Sequence, residues 1–129
     1  PFFDDVTHAI GYASNAGEIQ NAESAAISTA GRLKLDEGGR YVWRTDLMSC
    51  SDQWGKWFEG FGEEFNKLPG YRVLIVTTID KLDTPFTIGH MTGKFQLEVI
   101  PNTCHCIHED NPEAIVKILV RLMKRIGPG

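Results

Sequence analysis

Residues 71–79 read Tyr-Arg-Val-Leu-Ile-Val-Thr-Thr-Ile, with an unbroken aliphatic run at 73–76. A run of this kind lacks the alternation of a half-solvated strand. It predicts a strand buried on both faces, as in a parallel sheet. Asp80 stands at its carboxyl end. A short helix is expected over residues 86–93, then a second apolar strand over 95–100, closed by Pro101. The dense motif Cys104-His105-Cys106-Ile107-His108-Glu109-Asp110 comes next. Asn111-Pro112 places proline in the first turn of a last helix running to about residue 126. Ile115, Leu119, Leu122, Met123 and Ile126 line one face of that helix, with Ile118 beside them.

Upstream of the first strand, Trp54, Trp57, Phe58, Phe61, Phe65 and Leu68 recur at three- and four-residue spacing. This predicts one amphipathic helix, capped by Ser51 or Asp52, ended by Pro69-Gly70, and packed into a core. Residues 4–15 and 21–33 read as two mildly apolar helices, the second with Asn21 as N-cap. Residues 35–40 form a polar loop, and residues 41–47 a short extended segment. The second half is thus helix, strand, helix, strand, helix, the α/β pattern with right-handed crossovers. Sheets of this class hold on the order of five or six strands. Here two are legible, or three with residues 41–47, so the remaining strands are expected to come from elsewhere.

Composition is that of a globular chain: 129 residues, 42% hydrophobic and 23% charged. No apolar run reaches the length of a membrane span, so no membrane partner is expected. The net charge of −4 argues against nucleic acid as a partner. Three cysteines, Cys50, Cys104 and Cys106, cannot all pair internally, and no basic-then-apolar leader opens the chain. A reducing compartment is therefore expected. The chain opens Pro-Phe-Phe without Met and reads as a piece of something longer.

Open parallel sheets react at the carboxyl ends of their strands. One end here carries Asp80, and the other leads into His105 and His108. A carboxylate after one strand and a histidine after the next are the acid and base of a Ser-His-Asp arrangement. The histidine of that arrangement precedes the last helix, as His105 does. Asp80 is a candidate acid, with a turn or cap role as the plainer reading. The nucleophile is missing. Ser14, Ser24, Ser28, Ser49 and Ser51 all lie outside any Gly-x-Ser-x-Gly elbow.

Three stretches carry a family resemblance: Ile79-Asp80-Lys81-Leu82-Asp83; Thr87-Ile88-Gly89-His90-Met91-Thr92-Gly93-Lys94-Phe95-Gln96; and His105-Cys106-Ile107-His108-Glu109-Asp110. Tyr41-Val42-Trp43-Arg44, Trp54-Gly55-Lys56-Trp57-Phe58 and Ile19-Gln20-Asn21-Ala22-Glu23-Ser24-Ala25 extend it. Together they resemble the C-terminal third of the protein phosphatase methylesterases, which are α/β-hydrolases. The resemblance implies the C-terminal portion of that fold: a lid-like helical region over 1–47, and the last two strands and helices of the parallel sheet over 48–129. It implies a serine carboxylic ester hydrolase that demethylates the C-terminal leucine of the type 2A phosphatase catalytic subunit, in cytoplasm or nucleus. His105 becomes the general base, with serine, oxyanion hole and usual acid all upstream of Pro1. Isolated, the chain is expected to be inactive and to need its N-terminal half or another chain. Asp80 remains an alternate acid or a turn residue. Trp43 and Arg44 become candidates for contact with the phosphatase tail, against plainer readings as a core tryptophan and a solvated arginine. Cys104 replaces the glycine that usually precedes the catalytic histidine. No cofactor is expected.

Two other readings stay open. Cys104, His105, Cys106, His108, Glu109 and Asp110 are zinc-type ligands, with His90 and Cys50 in reserve. Alternate residues of an extended chain point apart, however, and no second Cys pair exists. The chain could also be a non-catalytic interaction module.

Overall fold

The structure is a computed structural model and describes residues 1–127. It divides into two compact units. One is built from Pro1–Asp46 together with Asn102 onward, the other from Leu47–Pro101. The sequence division at 47 places the last segment with the parallel strands; the structure packs it with the N-terminal segment instead.

In the discontinuous unit, β1 (Phe2–Phe3), β2 (Leu33–Leu35) and β3 (Tyr41–Trp43) form an antiparallel sheet in the order β1-β3-β2. Phe3 pairs with Tyr41, and Leu33 with Trp43. This corrects the expectation that residues 41–47 extend the parallel sheet. The tight turn between β2 and β3 comes from Asp36, whose carboxylate accepts the Gly38 and Arg40 N–H groups, each at 2.9 Å. Phe3 is 1% exposed and packs with Ala9 and Leu33. Its ring meets Trp43 edge-on at 5.2 Å and Tyr12 at 5.5 Å.

Helix α1 (Val6–Asn15) starts where Asp5 accepts the His8 N–H, and α2 (Ala22–Gly31) where Asn21 accepts that of Ser24. The two helices pack together. Ala9 and Ala13 of α1 and Ala25 and Thr29 of α2 are fully buried, small side chains that let backbones approach closely. The Thr29 hydroxyl has no hydrogen-bond partner. The unit is completed by α6 (Ile107–Asp110), a single turn inside the His105 motif, and α7 (Pro112–Ile126). Asn111 caps α7 by accepting the Ala114 N–H at 3.1 Å, and Pro112 occupies its first turn. Ile118 of α7 is buried, while Val116, Leu119, Val120, Met123 and Ile126 remain exposed.

In the second unit a 3₁₀ segment (Leu47–Gln53) leads into α3 (Trp54–Phe58) and α4 (Phe61–Lys67). These replace the single helix expected from the aromatic stripe. The break is at Glu59-Gly60. Gly60 sits in the left-handed region at φ 69°, which glycine adopts without a Cβ penalty. Neither Ser51 nor Asp52 caps α3, whose first residue follows Gln53 with no side-chain cap. The stripe is also not core in this unit. Trp57 is 54% exposed and Phe58 73%. Only its carboxyl end is packed, where Phe65 meets Phe86 at 5.4 Å and Phe95 at 5.2 Å.

Strands β4 (Val73–Val76) and β5 (Gln96–Val99) pair in parallel, with Val73 opposite Gln96 and Val76 opposite Val99. This is the parallel pair read from the sequence. The side chains of β4 are half-buried, and among the described residues β5 is the strand it pairs with. Between them, α5 (Thr84–Met91) is capped by Asp83, which accepts the Phe86 N–H at 3.0 Å. Against α4, the Asn66 amide donates to the Pro85 carbonyl at 2.9 Å and lies directly over Gly89. No helix among the described residues is long and apolar enough to cross a membrane.

Candidate functional site: the His105 loop

His105 lies on a short loop between Pro101 and α6. The loop opens with Asn102 in the left-handed region at φ 59°, a conformation asparagine tolerates better than most residues. The loop then lies along the α1–α2 connection. The His105 N–H donates to the Gly17 carbonyl at 3.3 Å and the Cys106 N–H to the Glu18 carbonyl at 3.0 Å. The imidazole itself is exposed and makes no hydrogen bond to any described residue. It is thus neither sealed in packing nor tied to a structural partner, and its nitrogens are open to a reacting group.

The carboxyl end of the motif anchors the loop. Asp110 accepts three backbone N–H groups: Gln20 at 2.6 Å, Asn21 at 3.0 Å and Cys104 at 2.5 Å. Burial alone would raise its carboxyl pKa. The three donors outweigh that and hold it below the usual carboxylate value. Beside it, Ser24 donates to the Glu109 carbonyl at 2.8 Å and Ser28 to the Glu109 carboxylate. Burial, reinforced by the nearby Glu109 and Glu18 charges, pushes the Cys106 thiol upward. The free thiol is thereby kept in its protonated form. His108 lies on the rim, 3.7 Å from the Glu109 carboxylate. Glu18 in turn pairs with Arg32 at 2.7 Å.

The other sequence candidates are placed as follows. Asp80 follows β4 in the second unit and is exposed. Its carboxylate accepts the Thr78 hydroxyl at 3.0 Å, and its N–H donates to that same oxygen at 3.3 Å. This local ring of hydrogen bonds has the form of a turn. Trp43 is half-buried at the edge of the Phe3 cluster, with the Arg32 guanidinium 4.9 Å from its ring centroid. Arg44 donates to the Leu33 carbonyl at 3.2 Å, so its head group is partly engaged in holding β2. Among the described residues, no three His, Cys, Asp or Glu side chains gather as a metal-binding group, and the zinc reading is left without a ligand set. A groove of about 550 Å³ in the second unit, lined by Asn66, Lys67, Pro85, Ile88 and Lys94, holds none of the candidates.

In the sequence, Asp110 carries no individual role beyond that of a metal-type ligand in the motif. Its anchoring role was visible in one signal: an acidic residue just ahead of Asn111-Pro112, where a helix start fixes the backbone. The donors it binds are 89 and 90 residues away, at Asn21 and Gln20, and no local pattern reveals them.

No family model matches the chain. It is 40% identical over 126 residues to protein phosphatase methylesterase 1 of Schizosaccharomyces pombe, covering 98% of this chain and 37% of that protein. It is 34% identical over 111 residues to the probable protein phosphatase methylesterase 1 of Caenorhabditis elegans, covering 86% of this chain and 30% of that protein. Bos taurus protein phosphatase methylesterase 1 matches at 27% identity over 95% of this chain. The chain thus spans about a third of the length of the curated relatives it matches. Among solved structures, an esterase of Mycobacterium tuberculosis superposes with a TM-score of 0.66 at 16% identity, covering 95% of this chain and 42% of that one. That likeness shows the fold, a C-terminal portion of an α/β-hydrolase.

Proposed function

Because this chain is homologous, over nearly its whole length, to part of the protein phosphatase methylesterases, we propose that it supplies the general base of a carboxylic ester hydrolase, His105. The observation that carries this reading is an exposed imidazole with no structural partner, on a loop whose backbone is tied down on both sides. In the proposed reaction, one ring nitrogen of His105 takes the proton of a serine hydroxyl outside these residues. The serine oxygen bonds to the ester carbonyl carbon. The same imidazole then returns the proton to the departing methoxide, releasing methanol. Water, deprotonated by His105, then attacks the acyl carbon; the acyl–serine bond breaks, the imidazolium returns the proton to the serine oxygen, and the free carboxylate is released. The carboxylate that orients the imidazole is assigned, like the serine, to residues outside this stretch of chain. The substrate is the methyl-esterified C-terminal leucine of the type 2A phosphatase catalytic subunit. Trp43 offers its half-buried ring to the leucine side chain and Arg44 its positive charge to an acidic tail. The exposed apolar side of α7 and the two-stranded parallel sheet support the view that further strands complete the enzyme.

The test uses the full-length gene product that contains this chain. A fluorophosphonate probe should label its serine, and a methyl-esterified peptide of the phosphatase tail should release methanol. His105→Ala should lower both rates by about 10⁴-fold or more with little change in peptide binding. The 129-residue chain alone should not label. Wild-type labelling by His105→Ala, or labelling of the isolated chain, removes the proposal.

A further inference from the structure

His105 needs a fixed position, yet its ring has no partner to fix it. Its placement is therefore set by its backbone. That backbone is irregular from Asn102 to Cys106, with no helix or strand ladder of its own. Two backbone bonds, to Gly17 and Glu18, hold the loop from one side. The residue just before His105 is held by Asp110, through the Cys104 N–H at 2.5 Å. The other Asp110 oxygen takes the Gln20 and Asn21 N–H groups, at the start of α2. An anion at this end of α2 is favoured by the helix dipole as well. Hydrogen bonds to an ionised carboxylate are about twice as strong as neutral ones. One side chain thus joins the loop that carries the base to the first turn of a helix distant in sequence.

We propose that Asp110 is a positioning residue: its carboxylate clamps the Cys104–Cys106 backbone to the α1–α2 connection and so sets the location of the His105 imidazole. This rests on His105 being the base. A carboxylate can serve the donors on both sides at once because both of its oxygens accept. An amide cannot, since one of its two terminal atoms is an NH2 that only donates. Asp110→Asn therefore keeps the shape and breaks one side of the clamp.

The experiment compares wild type, Asp110→Asn, Asp110→Ala and His105→Ala in the full-length gene product. Two quantities are read: amide hydrogen exchange by residue, and the inactivation rate and binding constants for a fluorophosphonate. Exchange at Cys104, Gln20 or Asn21 should accelerate at least tenfold in Asp110→Asn, with α1 and β3 amides of the same unit unchanged. A loss of fold of that unit would instead accelerate α1 and β3 too. The maximal inactivation rate should fall about 10- to 100-fold, the scale expected when a reacting group is misplaced by about 1 Å, while the probe's binding constant stays within about twofold. Unchanged exchange in Asp110→Asn overturns the clamp. Faster exchange with an unchanged inactivation rate overturns its role in placing His105. If Asp110→Ala unfolds, the isosteric Asp110→Asn decides. Failure of the His105 reading shows separately, as undiminished labelling of His105→Ala.

Discussion

Replacing Gly89 by alanine should destabilise the second unit, and the sign of the effect should depend on a single neighbour. A Cβ at Gly89 would lie 2.2 Å from the Asn66 Oδ1 and 2.8 Å from its Cγ. The amide cannot swing aside freely, since its nitrogen is bonded to the Pro85 carbonyl at 2.9 Å. Overpacking of this kind costs about 1–3 kcal/mol. Displacing the amide also sacrifices its bond to Pro85, about 1 kcal/mol. Alanine in place of glycine within a helix returns about 1 kcal/mol. The net expectation is a loss of about 1–3 kcal/mol for Gly89→Ala. With Asn66→Ala already present the clash disappears, and the same change should stabilise by up to about 1 kcal/mol. The pair is thus coupled by about 1–4 kcal/mol, beyond the deviation from additivity expected of independent sites. Amide exchange of α5 and β4 reports the opening free energy of this unit, with β3 as the control in the other. If Gly89→Ala destabilises equally with and without Asn66, the close approach of α4 and α5 is not what demands the glycine.

Two further expectations follow from polar groups in the discontinuous unit. The Thr29 hydroxyl is buried with no partner, so Thr29→Val should raise the midpoint of urea unfolding, by about 1 kcal/mol of stability; a fall would show that the hydroxyl is bonded in solution. Asp110 has its carboxyl pKa lowered from 3.8. Its contribution to stability is therefore complete above the unfolded value and lost as pH falls through the lower folded one. Urea midpoints measured between pH 6 and pH 2 should drop less steeply below about pH 4 in Asp110→Asn than in wild type, and parallel curves would contradict the assignment.

Local chemistry made much of the fold legible. The Asn21 cap, the aliphatic run at 73–76 and the Pro112 start all signal over a few residues, and α2, β4 and α7 appear where those signals put them. The aromatic stripe misled because periodicity reports which residues share a face, not whether the chain stays helical. Gly60 ends the first segment, and most of its apolar face remains open. The two-residue β1 has no pattern to detect, and its existence depends on pairing with β3 across nearly forty residues. The same limit applies to the candidate site. His105 stood out by its position ahead of the last helix. The three donors that occupy Asp110 come from two loops joined only by folding.

The unit that carries His105 is assembled from both ends of this stretch of chain, with Leu47–Pro101 intervening. A ribosome must therefore finish the intervening segment before the α1–α2 connection can meet its partner, and early helices wait with their polar termini wet. Loop closure over such a span is slow compared with local hairpins. A protease cut at the exposed Phe58, deep in the intervening segment, would leave the halves of the His105 unit bound to one another. A chain ending before Asn102 would instead leave the α1–α2 connection without the loop that it holds.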